Sequence, residues 1–110
     1  MRLDRERILD ILESIEKIEK RTNIDWADFS ADEMLQVWTI HYIQIIGEAA
    51  SKLSLELRGG YPEIPWIDII DMRNVLVHHY FGIDLNQIWD TIKIDIPNLK
   101  KQMLSILEKL

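Results

Sequence analysis

The sequence predicts an all-α bundle. Three observations carry that expectation. Apolar residues recur at three- and four-residue steps along most of the chain, nothing reads convincingly as a strand, and glycine or proline falls between the periodic runs. At 110 residues, with 47% hydrophobic and 29% charged side chains, the chain is sized and composed for one globular domain over 1–110.

The elements follow in order. Over residues 3–21, Ile8, Ile11, Leu12, Ile15 and Ile18 form one stripe of an amphipathic helix. Glu13 with Lys17, and Glu16 with Lys20, are four-residue ion pairs on its wet side. "TNIDWADF" reads as a connection. In "SADE", Ser30 with Glu33 three residues on forms a capping box, which starts a second helix. That helix is expected to run to Arg58 and stop at Gly59–Gly60 with a left-handed cap. About 28 residues at a rise of roughly 1.5 Å each make it ~42 Å long, enough to span the domain and help pair with something. "GGYPEIPW" is a turn region in which Pro65 opens a third helix, over 66–81 and ending at Gly82. Asp84 caps a last helical segment with Leu85, Ile88, Trp89, Ile92 and Ile96 on one side. Pro97 either kinks it or begins a fresh helix through "NLKKQMLSILEKL". The sum is four or five helices joined by short connections.

Composition excludes several classes. With no cysteine there is neither a disulfide framework nor a thiolate metal site. No apolar run approaches the roughly 20 residues that span a bilayer, and "MRLDRERILD" places charges where a signal peptide needs an apolar core. A cytoplasmic protein is therefore expected. The net charge of −6 is uneven: residues 22–96 carry twelve acidic groups against Lys52, Arg58, Arg73 and Lys93. No basic stripe for broad nucleic-acid binding is evident, so such contact has to be local or assisted by a partner. Trp26, Phe29, Trp38, Trp66 and Trp89 read as packing and interface residues, and Met34, Met72 and Met103 as gap-fillers of a helical core.

One stretch stands apart, "DMRNVLVHHYFGID" at 71–84, which holds two of the three histidines. At roughly 100° per residue, Arg73 and Tyr80 share one line of the helix with Ile70, Val77 and Phe81. Asn74 and His78 lie on a second line, while Ile67 and Leu76 are expected to face the bundle. Arg73 and His78 thus meet over one phosphate only if the helix loosens before Gly82 or a second copy supplies one of them. The adjacent His78 and His79 diverge on a helix and make a poor metal pair, and no Gly-rich phosphate loop, His-Glu-x-x-His pattern or serine elbow is present. What remains is one base and one cation. Histidine can take a proton from a hydroxyl and return one, and arginine grips a phosphate with two parallel bonds. Those parts suffice for RNA cleavage by the neighbouring 2'-hydroxyl without a metal or cofactor. The residues alone favour the plainer reading, a cap-region arginine and a hydrogen-bonded core histidine.

"RNVLVHHYFG" resembles the signature of HEPN-domain proteins, and more closely the Arg-x-x-x-x-His-x-Tyr motif of their HepT-like branch. "ILDILESIEKIEK", "IIGEAA", "YPEIPW" and "FGIDLNQIW" extend the likeness over nearly the whole chain in the right order. The resemblance implies a HEPN-type four- to five-helix up-and-down bundle that forms a homodimer through its motif-bearing helices. It implies a metal-independent endoribonuclease, the toxin of a type VII-like toxin–antitoxin pair, acting on RNA such as tRNA or mRNA. The implied antitoxin is a minimal nucleotidyltransferase (MNT type) that transfers AMP from ATP onto the motif tyrosine, here Tyr80. Carried over, Arg73 binds phosphate and stabilises charge, His78 is the general acid/base, and Asn74 orients them. The adduct on Tyr80, in line with Arg73, would compete with RNA phosphate for that cation. Two positions depart from the pattern. His41 in "WTIHYIQIIGEA" stands where relatives usually carry arginine, and His79 where they often carry glycine; both are candidate accessory groups. The alternative reading is a non-catalytic HEPN module that binds a nucleotidyltransferase, which the acidic middle of the chain favours.

Overall fold

The structure, a computed structural model, describes residues 3–78 and 84–110, without the side chains of 74–78. Every regular element among the described residues is helical: α1 (Asp4–Arg21), α2 (Trp26–Ala31), α3 (Glu33–Ser51), α4 (Leu55–Gly59), α5 (Trp66–His78), α6 (Leu85–Asp90), a π-helical turn (Thr91–Asp95) and α7 (Ile96–Lys109). Because α6, the π turn and α7 run on without a break, the bundle has four rods, and α2 and α4 are single short helices in the connections. The all-α expectation is met.

The stripe on α1 is the spine of the core. Ile8, Ile11, Ile15 and Ile18 are all fully buried, and Ile40, Ile43 and Ile46 of α3, with Ile96, Leu99, Met103 and Ile106 of α7, close around them. Burying each such side chain contributes about 1.5–3 kcal/mol. Polar ties then fix how the rods lie. Asp4, at the start of α1, accepts bonds from the Ser54 amide (2.9 Å) and hydroxyl (2.6 Å) just beyond α3. Near the other end of α1, Arg21 lies over the Trp38 ring at 5.0 Å, so α1 and α3 run antiparallel. Lys93 of the π turn donates to the Thr22 carbonyl at 2.9 Å, and Lys100 of α7 pairs with Glu19 at 2.9 Å, which sets α7 antiparallel to α1 in the same way.

Several boundaries differ from the sequence reading, each for a local reason. "WADFSA" is helical because Asp25 caps it, accepting from the Asp28 amide at 2.9 Å. The cap of α3 is Asp32, which accepts from Leu35 N at 3.0 Å; the Ser30 hydroxyl instead donates back to the Ala27 carbonyl. The long second helix is broken after Ser51. Ser54 caps a separate helix by accepting from Leu57 N at 3.1 Å, and Asp4 holds Ser54 in place, so the cap outcompetes continuation. Gly60 ends α4 at φ −75°, with no left-handed cap. Pro97 stands in the first turn of α7, which begins at Ile96 directly after the π turn. Of the two expectations the fresh helix is met to within a residue, though without a gap in the rod. The wider π turn before it absorbs the missing N–H and relieves the clash of its ring with the preceding turn. Ile67 is 75% exposed and Met34 85% exposed, so neither is a core residue. On α5 the buried positions are Trp66 and Ile69, with Ile70 and Met72 half-buried. The expected stop of this helix at Gly82 lies outside the described residues.

α3 and α5 cross tightly at Gly47. A Cβ built on Gly47 would lie 2.9 Å from Arg73 N, 3.0 Å from Arg73 Cβ and 3.1 Å from the Ile69 carbonyl oxygen. Two of those three atoms are backbone, which cannot swing aside. Gly47→Ala gains about 1 kcal/mol of helix propensity but incurs about 1–3 kcal/mol of overpacking. The expected result is a net loss of stability of up to about 2 kcal/mol in chemical denaturation; increased stability would refute the tight crossing. A second expectation concerns the acidic side of α5. Partial burial, then the like charges of Asp90 and Asp68, push the Asp95 carboxyl above the usual carboxylate range. The folded chain therefore holds that proton better than the unfolded one, and stability falls as pH rises from the ordinary carboxylate value through the raised one. Asp95→Asn should raise the melting temperature at pH 7, and the gain should shrink as pH approaches 4.

Candidate active site on α3 and α5

Arg73 sits where α5 presses on Gly47, so its side chain leaves the backbone directly over α3. It is half-buried, with 34% of the side chain exposed. Its Nη1 donates to Glu48 Oε2 at 2.9 Å and to Ser51 Oγ at 2.6 Å. Glu48 and Ser51 are three residues apart, so they stack on one face of α3. Lys52 Nζ lies 3.8 Å from the other Glu48 oxygen. Two of the four cations in the acidic span 22–96 thus converge on one carboxylate, leaving this cluster one positive charge in excess.

The other site residues are placed less completely. Asn74 and His78 belong to α5, which stays α-helical through His78, and their side chains lie outside the description. Five residues on a continuous helix put the Arg73 and His78 positions about 140° apart around the axis, so no loosening between them brings the two together. His79 and Tyr80 lie outside the described residues. His41 is exposed on α3, its ring edge-on to Tyr42 at 5.0 Å between centroids. It precedes Glu48 by seven residues and so shares its exposed face, about 10 Å along the helix.

One groove borders the cluster at Glu48, and a second runs along α5. The first, of about 330 Å³ between α1 and α3, is bordered by Arg7, Lys17, Asp10, Glu13, Tyr42 and Glu48. Its charges balance closely, and Lys17 is already engaged by Tyr42 Oη at 3.4 Å. The other, also about 330 Å³, borders α5 with Asp68, Asp71 and Asp95 and would repel a phosphate. Neither groove has an excess of cations, whereas the Arg73 cluster does. Among the described residues no group of three or more acidic or histidine side chains is placed to hold a metal ion, and no helix is long and apolar enough to cross a membrane.

A family model described as ribonuclease HepT-like matches residues 11–106, from the α1 stripe to the end of the α7 core. The chain belongs to the HepT-like ribonuclease family. It is 44% identical over 92 residues to "Probable ribonuclease HepT" of Thermococcus cleftensis, covering 83% of this chain and 84% of that protein. It is 40% identical over 92 residues to a protein of Caldanaerobacter subterraneus named "Putative RNase", covering 84% and 82%. A 46% match over 101 residues, 91% of this chain, is to a Methanocaldococcus jannaschii protein named "Gamma-glutamylcyclotransferase and putative RNase", of which the HepT-like chain spans only 46%. No solved structure gives a significant match. Membership in this family agrees with the resemblance read from "RNVLVHHYFG" and with the expectation of a ribonuclease.

Sequence reading passed over Gly47, Glu48 and Ser51 as site residues. "IIGEAAS" held a usable signal, since a glycine, a carboxylate and a hydroxyl fall within five residues of an otherwise apolar helix. What it lacked was which helix would press on that face.

Proposed function

We propose that this HepT-like ribonuclease is the toxin of a toxin–antitoxin pair, a metal-independent endoribonuclease acting as a homodimer. Arg73 grips the scissile phosphate and steadies charge on it. His78 is the general acid/base, and Asn74 orients the pair. In the reaction the 2'-oxygen attacks the adjacent phosphorus while a base removes its proton. The bond to the 5'-oxygen breaks, and an acid protonates that leaving oxygen, giving a 2',3'-cyclic phosphate and a free 5'-hydroxyl. The observation that carries this reading is the anchored Arg73, a fixed cation on a protein whose middle is otherwise acidic.

The homodimer is supported by the helical geometry, since the Arg73 and His78 positions diverge on one α5 and a second copy can supply the missing member. Control is proposed at Tyr80, seven residues from Arg73, through AMP transferred from ATP by a cognate MNT-type nucleotidyltransferase. His79 and His41 are accessory at most. The second reading, a non-catalytic module that positions a nucleotidyltransferase, draws its support from the acidic groove along Asp68, Asp71 and Asp95.

Expression without the antitoxin tests the choice. The wild type should arrest growth and cleave cellular RNA, and purified Arg73→Ala and His78→Ala should each lose roughly 10²- to 10⁴-fold in cleavage. Arg73→Lys, which keeps the charge but not the fork, should remain strongly impaired. A harmless wild type that leaves RNA intact would support the binding module instead, and equal toxicity of all variants would overturn the residue assignment. Control at Tyr80 is read separately by intact mass: incubation with the nucleotidyltransferase and ATP should add AMP units, and Tyr80→Phe should abolish the gain. An unchanged wild-type mass would rule that control out.

A further inference from the structure

Arginine reaches phosphate on a long chain with many rotamers, and a guanidinium fixed beforehand loses less freedom when it binds. In this chain Arg73 is fixed from α3. Both bonds described for it fall on Nη1, one to Glu48 and one to Ser51, while a guanidinium has five N–H donors. A phosphate can be gripped in parallel by Nη2 and Nε, the edge of the fork away from those two partners. We propose that Glu48 and Ser51 are positioning residues, which hold Arg73 by Nη1 and present its Nη2–Nε edge to the scissile phosphate.

Three features support positioning over a brake on the arginine. Glu48 is shared with Lys52, so the cluster keeps a net positive charge and still attracts an anion. Ser51 is uncharged and adds a bond without neutralising anything. Gly47, one residue before Glu48, lets the Arg73 backbone approach so closely that the short span to Glu48 and Ser51 is imposed by the crossing of the helices.

The proposal rests on Arg73 as the phosphate-binding residue, and the test separates the two. Cleavage of an oligoribonucleotide is measured for wild type, Glu48→Ala, Glu48→Gln, Ser51→Ala and Arg73→Ala, and for Glu48→Ala combined with Arg73→Ala. Glu48→Ala should lower kcat roughly 10- to 100-fold with a smaller change in KM, as expected for losing a charge-assisted bond. Glu48→Gln keeps an oxygen acceptor at the same reach and should restore most of the rate. In the Arg73→Ala background Glu48→Ala should cost nothing more, because it acts only through Arg73. Binding of an oligoribonucleotide with methylated 2'-hydroxyls is measured in parallel and needs no turnover. Its affinity should weaken in Glu48→Ala and be insensitive to Glu48 once Arg73 is gone. If Arg73→Ala is impaired but Glu48→Ala is not, the positioning role is wrong while the function stands. Equal losses from Glu48→Ala in both backgrounds mark a structural role and overturn it too. Faster cleavage or tighter binding by Glu48→Ala would make Glu48 a brake. A wild type that neither cleaves nor binds defeats both readings.

Discussion

Everything about the candidate site depends on one missing Cβ. Gly47 lets α5 lie on α3 so closely that any side chain there would meet the amide nitrogen of Arg73 and the carbonyl of Ile69. The crossing fixes which residue of α5 sits over α3, and so fixes where the Arg73 guanidinium emerges. Glu48 and Ser51 follow Gly47 on the same helix and complete the anchor. The crossing rests in turn on the isoleucine stripe of α1, because the face of α3 that packs on α1 sets which face is left for α5.

The charge pattern becomes intelligible from the same place. A chain with net charge −6 is a poor general binder of RNA, and the groove along Asp68, Asp71 and Asp95 reinforces that. A localised cationic cluster on an acidic body binds a phosphate by geometry more than by field. Such a protein needs its substrate placed accurately, which is consistent with a site assembled between two chains and with control by a partner enzyme. In the proposed scheme an AMP group on Tyr80 would set a second phosphate beside the same cation.

Much of the fold was legible in the sequence. The α1 stripe is buried as its three- and four-residue spacing requires, and Ile88, Ile92 and Ile96 line the inner side of the last rod. Errors arose where local hydrogen bonding decides. Asp25, Asp32 and Ser54 each cap a helix whose boundary an apolar period cannot show, and Asp4 fixes Ser54 from fifty residues away. Ile67 was assigned inward by periodicity, yet the face of α5 that meets α3 is set by Gly47, so it points to solvent. At the site, the motif gave Arg73, but its anchors came from another helix and were invisible until the two were packed. The side chains of Asn74 and His78, and all of His79 and Tyr80, lie outside the described residues, and their roles rest on the motif.

The central claim is that Arg73 is fixed on the α3 side of α5 and works with a histidine about 140° around the helix, from the other chain. Mixed dimers test it most directly. Arg73→Ala and His78→Ala chains, each inactive alone, are unfolded together and refolded as an equal mixture. If each site takes its arginine from one chain and its histidine from the other, half the dimers carry one intact site of two, and about a quarter of wild-type cleavage returns. If both residues act within one chain, every mixed dimer has one site lacking arginine and one lacking histidine. No recovery above the separate variants would then be seen, and the account would be contradicted.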